Sequence, residues 1–224
     1  MRNRRQSSVS RLGRLPRVAV ANTALALLAL PVLSALNRFS LLGLGRLDQI
    51  AVQWVIAAAV VGIAVGIEDR SLAEIGFRRP AWRDLGYLLL TAVAALLVFA
   101  GTDPLVSATG LPVADDAGTM AVSAGIGVAL LGALTTGVVE EVLFRGYPLE
   151  RLLDYSERPF VAGGLTWGVF TVAHVAVWPL GNLVQIAAVA ALFTVVYLRR
   201  RTLVPVIGAH VLVWGLSVLG QVYG

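Results

Sequence analysis

The chain of 224 residues contains no cysteine and no lysine. Without cysteine, disulfides and thiolate metal ligands are excluded, and no redox compartment can be read. Charge of either sign is scarce: 14% of residues are charged, against about 25% in a soluble domain. The net charge of +5 comes entirely from arginine, grouped in a few short stretches. That grouping suits membrane-orientation signals; nucleic-acid binding is not expected, because it needs a basic patch or stripe on a folded face. Histidine is nearly absent too, with only His174 and His210.

What is abundant is apolar. Hydrophobic residues make up 58% of the chain and the mean hydropathy is +0.81. They fall into runs at 18–36, 50–67, 85–100, 120–139, 160–178, 183–198 and 203–222. About 20 apolar residues cross a bilayer as a helix. Lipid permits only helices or closed barrels, and these runs lack the alternation of barrel strands. The expectation is an all-α polytopic transmembrane bundle of about seven spans. It forms one domain over 18–224, after an Arg-rich segment over 1–17. Six arginines in that segment resemble the start of a signal peptide, but no small-residue cleavage site closes the first run, so a retained helix is expected. Pro31 kinks the first span without ending it. Gly146-Tyr147-Pro148 should bend the chain. After it, Leu149, Leu152 and Leu153 alternate with Glu150, Arg151 and Asp154, the pattern of a short amphipathic helix at the interface. The Gly132-x-x-x-Thr136 and Gly164-x-x-x-Gly168 pairs permit close helix approach.

Most arginines lie in 1–17, 68–84, 150–158 and 199–201, which are alternate connections. The 101–119 loop carries Asp103, Asp115 and Asp116 and no basic residue. The positive-inside rule then sets the N-terminus in the cytoplasm and the C-terminus outside.

Against this background, Glu140, Glu141 and Arg145 stand out, because an ionisable group in a membrane span is a functional-site hypothesis by default. Glu141 and Arg145 are four apart, share a helix face and are placed to pair. Glu140 lies about 100° round the helix, beside Phe144, and is left free to act as a general base. Phe170 and Trp178 flank His174 at i−4 and i+4. Glu140 and His174 flank a hairpin with its midpoint at residue 157, so antiparallel helices bring them level. His174 is near the Pro179 turn whereas His210 is nearer the arginine-rich face; one resolution is a Pro179 turn that stops short of the outer surface. Two chemistries fit. A Glu base with a His can activate water while a second His donates to the oxyanion; alternatively, one Glu and two His can bind zinc. The spacing is not the H-E-x-x-H helix of zincins, which makes metal the weaker reading.

Glu140-Glu141-x-x-x-Arg145, Phe170-x-x-x-His174 and His210 in the last span together resemble the CAAX protease and bacteriocin-processing family of intramembrane proteases, also described as type II CAAX prenyl proteases. The loop over 71–84 is similar to one that precedes the core in bacterial members. The resemblance covers roughly 72–219, with the protease-like core over about 120–220. It implies that Glu140 activates water with help from His174, that His210 stabilises the oxyanion, and that Glu141, Arg145 and Phe170 support the site without a metal cofactor. The implied partners are a peptide, lipidated or membrane-protein substrate and the lipid bilayer, in a bacterial cell membrane. One departure stands out: the family usually sets Asn or Asp four residues after this histidine, and here the position is Trp214. Its indole N–H, or Ser217 on the same face, is the available donor. Trp214 makes a non-catalytic immunity or scaffolding relative the competing reading. A proton-coupled carrier is a third, but it calls for paired repeats of broken helices, which the sequence lacks.

The missing cysteines make the topology directly testable. Single cysteines placed in 68–84 should resist a membrane-impermeant thiol reagent in intact cells, and cysteines in 101–114 should react; the reverse pattern would invert the orientation.

Overall fold

The computed structural model describes residues 16–114 and 122–224. Most of the Arg-rich segment 1–17, and the expected Asp115, Asp116 and Met120, lie outside the described residues. Within them every regular element is helical: α1 (Arg17–Arg38), α2 (Arg46–Gly66), a 3-10 turn (Leu72–Ile75), α3 (Trp82–Thr109), α4 (Ile126–Glu141), a π turn (Val142–Gly146), α5 (Tyr147–Ser156), α6 (Pro159–Ala173), a 3-10 turn (His174–Ala176), α7 (Leu180–Arg200) and α8 (Val204–Tyr223). Seven helical stretches are long and apolar enough to cross a membrane, with α4, the π turn and α5 counted as one of 31 residues.

The helix ends follow local chemistry. The Asp48 carboxylate accepts from the Gly45 N–H at the start of α2, and Asp84 does the same for Ala81 at the start of α3. Ser71 donates through both its N–H and its hydroxyl to Glu74, which holds that carboxyl below its ordinary range. Helix α3 runs to Thr109, past the loop start expected at Gly101. Pro104 lies inside it and lacks an N–H, but its φ is helical, and the Thr102 hydroxyl donates to the Val98 carbonyl just before it.

The helix carrying the two glutamates is the central one. Half of its membrane-length window is buried, against 17–44% for the other six. Val139, Leu143, Phe144 and Tyr147 face a cluster with Leu27, Leu30, Val60 and Phe170 of α1, α2 and α6. Val142, Leu149 and Leu153 face a second with Ala92, Phe193, Tyr197, Leu203 and Val206 of α3, α7 and α8. Just before the Gly146-Tyr147-Pro148 stretch where a bend was expected, the backbone forms the π turn over Val142–Gly146, with all five residues buried. The expected short amphipathic helix is α5, but its charged residues are not laid on the interface. Glu150 and Arg151 are buried, Glu150 accepting from Tyr197 and Arg201, and Arg151 donating to Glu68 and Asp154. The bond to Glu150 raises the Arg201 guanidinium above its ordinary pKa.

The hairpin turn between α5 and α6 falls at Glu157, which takes a left-handed conformation (φ 52°). In the α6–α7 hairpin expected to be short, the α6 stretch with its 3-10 turn has 18 residues, the fewest of the seven, and α7 has 21. The start of α8 is tied to the loop before α3: Leu203, its N-cap, is buried and donates its N–H to Gly76 O at 2.9 Å. Close helix contact is also made elsewhere than at the two pairs singled out in the sequence. Gly164 and Gly168 face open space, and Gly132 faces the Arg46 guanidinium. At Gly137, by contrast, a Cβ would meet Val211 Cγ2 at 2.5 Å and Val211 N at 2.9 Å, so this glycine sets the α4–α8 approach.

Gly137→Ala should therefore cost about 1–3 kcal/mol through overpacking, and Gly164→Ala close to nothing, as read by thermal unfolding in detergent. Equal melting temperatures would show that α4 and α8 do not depend on this contact.

Candidate active site

Four elements converge below the π turn: the end of α4, the π turn itself, the α6 terminus with its 3-10 turn, and α8. π turns recur at functional sites because they turn a side chain out of the regular helical register. The Glu141–Arg145 pair expected from spacing is formed, with Arg145 Nη1 donating to Glu141 Oε1 at 3.0 Å. Both side chains are essentially fully buried. Arg145 Nη2 also reaches the Ala190 carbonyl at 3.4 Å, and the guanidinium carbon stands 4.1 Å from the Phe170 ring centre. Such a cation–π contact strengthens when water is excluded.

His210 is bound to the other side of this pair. Its Nδ1 lies 2.8 Å from Glu141 Oε1. A carboxylate held by a guanidinium is an acceptor, so Nδ1 carries the proton and Nε2 faces away from Glu141. The ring packs edge-on to Phe193 at 5.5 Å. His174 is fixed differently. Its Nδ1 is 2.7 Å from the Phe170 carbonyl oxygen, which can only accept, so the neutral ring carries its proton on Nδ1 and leaves a lone pair on Nε2. Nε2 lies 4.0 Å from Glu140 Oε1, with both side chains about 15% exposed. That separation is too long for a hydrogen bond, but two bonds of about 2.8 Å can meet at one water across it. Among the described residues the Glu140 side chain makes no hydrogen bond to the protein.

The adjacent glutamates therefore occupy different environments. Glu141 is committed to Arg145 and His210; Glu140 is partly open and faces His174. Phe170 connects the two halves, touching Phe144 at 5.0 Å and His174 at 4.4 Å between ring centres while lying under Arg145. Among the described residues the Trp214 indole makes no hydrogen bond; it meets that of Trp178, with centroids 6.3 Å apart. Ser217 is exposed. Among the described residues no group of three or more His, Asp or Glu is placed to hold a metal ion. His210 and Arg145 are taken up by Glu141, which leaves Glu140 and His174 as the facing pair, one short of the three protein ligands of catalytic zinc.

Spacing did not reveal the bond from His210 to Glu141, which joins residues 69 apart. Nor did it reveal Glu68. This carboxylate accepts from Asn22, Tyr147 and Arg151 and ties α1 and α2 to α5 behind the site. The one sign in the sequence is an acid at the end of an otherwise apolar run.

Residues 122–215 match the family model described as "Type II CAAX prenyl endopeptidase Rce1-like". The match encloses Glu140, His174, His210 and Trp214 and leaves out the loop over 71–84, so the resemblance read from the motifs is borne out over the core. No curated protein and no solved structure matches the chain.

Removing one partner of a buried pair leaves an uncompensated charge and typically costs about 3–5 kcal/mol. Arg145→Met and Glu141→Gln should each lose stability on that scale. Glu141→Gln with Arg145→Met, which removes both charges, should recover a large part of it in a double-mutant cycle of detergent melts. Additive losses would mean that the two side chains do not interact.

Proposed function

We propose that this CAAX-protease-like membrane protein is an intramembrane endopeptidase in which Glu140 and His174 activate water. The observation that carries the reading is the division of labour between adjacent carboxylates: Glu141 is held by Arg145 and His210, while among the described residues the Glu140 side chain has no partner but the imidazole 4.0 Å away. A water between the two acceptors would donate one proton to Glu140 and one to His174 Nε2. Its oxygen lone pairs then point outward, towards a substrate carbonyl.

As that oxygen bonds to the carbonyl carbon, one proton passes to Glu140 and negative charge gathers on the carbonyl oxygen. Collapse of the tetrahedral intermediate breaks the C–N bond, and Glu140 returns the proton to the leaving nitrogen. His210 can stabilise the oxyanion through Nε2 only when its ring holds both protons, a charge that the neighbouring Glu141 balances. The mechanism uses no metal. The substrate is a peptide, a membrane protein or a lipidated protein, and the setting is a bacterial cell membrane with the N-terminus in the cytoplasm.

One observation favours a second reading. Trp214 is paired with Trp178 rather than offering a carboxamide beside His210. A missing oxyanion donor costs about 100- to 1,000-fold in turnover, which would suit a relative that keeps the fold as an immunity or scaffolding protein.

Glu140→Gln keeps the shape and removes the base, so cleavage of a peptide library by the purified protein should fall about 100- to 10,000-fold. Equal cleavage by both proteins would remove Glu140 from the mechanism. A cellular phenotype left intact by Glu140→Gln would favour the non-catalytic reading.

A further inference from the structure

The site is closed at one end by Phe144, Arg145 and Phe170, all buried. At the other end stand two tryptophans. Trp178 donates its backbone N–H to the His174 carbonyl at 2.9 Å, which sets it one turn beyond that histidine. Trp214 is four residues beyond His210 on an unbroken helix, about 6 Å farther from the arginine-rich end. Their rings meet at 6.3 Å and 42°, within the range of aromatic pairs in contact. The segment bearing Trp178 is held in place, because Gly181 N–H donates to Pro112 O at 2.9 Å and Asn182 Oδ1 accepts from Ala114 N–H at 2.8 Å. Both indoles are half-buried, and each lies one helical turn beyond a site histidine, Trp178 on the opposite side of His174 along the chain from the buried Phe170.

We propose that Trp178 and Trp214 form a size-selective gate which admits water and narrow side chains to Glu140 and excludes bulky ones. The gate is argued from the contact between the two indoles and their places one turn beyond His174 and His210. Its consequence for substrate, small residues next to the cut, rests on the endopeptidase reading. A different route would run sideways through the apolar groove of about 670 Å³ between α1 and α6, lined by Leu28, Pro31, Gly164, Gly168, Val172 and Ala176.

The absence of cysteine makes Glu140→Cys the only thiol in the chain, and its conversion by a methanethiosulfonate to a mixed disulfide, with release of methanesulfinate, reads access without requiring catalysis. The probes are methyl methanethiosulfonate and a benzophenone-bearing methanethiosulfonate, with His174→Cys as the second reporter should Glu140→Cys melt early. The bulky reagent should react about tenfold more slowly than the small one, the lower end of what a size-limited pocket achieves. Trp178→Ala or Trp214→Ala should abolish the difference, and Trp214→Phe should keep it. An unchanged ratio in both alanine variants overturns the gate. So does slowing of both reagents by Gly168→Leu, a position with open space for the larger side chain, because entry would then run through the groove. In peptide cleavage, Trp214→Ala should shift preference towards bulky residues. Gated labelling without any cleavage would sink the endopeptidase reading and leave the gate standing; cleavage with an unaltered size preference would do the opposite.

Discussion

The Glu141 carboxylate is buried in the middle of the bundle, where an isolated charge would cost several kcal/mol. It is tolerated because one oxygen accepts from both Arg145 and His210. Those two contacts fix much else. Arg145 spans the π turn and reaches the Ala190 carbonyl of α7 and the ring of Phe170 on α6, while His210 brings in α8. A single acid thus fastens four helices around one point. It also sets Glu140 apart: neighbours on a helix point in different directions, so the residue beside this committed carboxylate is left facing His174.

In lipid, apolar surface gives helices little reason to associate with one another rather than with acyl chains, so small-residue contacts and polar bonds decide the packing. Both kinds appear here. Gly137 lets α4 and α8 approach until Val211 touches its backbone. Towards the arginine-rich end, three acids each hold an arginine from a distant part of the chain: Glu68 with Arg151, Glu150 with Arg201, and Asp84 with Arg200. These bonds anchor α5 and the start of α8, and they explain how His210, only six residues into its helix, can meet a glutamate at the end of α4.

Much of the fold was legible because its signals are local. Seven apolar runs, a turn near residue 157 and an i, i+4 acid–base pair need nothing beyond the order of residues. The singling out of Glu140, Glu141, His174 and His210 came equally directly, since ionisable groups are conspicuous in an apolar chain. Other features were illegible for a matching reason. In a helix that is apolar all round, no periodicity tells a lipid-facing side from a packed one, so Gly164 and Gly168 read like an interface although they face open space, and Gly137 did not stand out.

The sequence by itself determined the class of the protein, the number of its spans and the residues able to carry chemistry, because hydropathy and ionisability are properties of each side chain. Only the tertiary structure decided who partners whom: that His210 belongs to Glu141 and His174 faces Glu140, that Phe170 lies beneath Arg145, and that Trp214 meets Trp178. Those pairings join residues far apart in the chain, and they depend on where steric fit at a few glycines and bonds between buried charges bring the helices to rest.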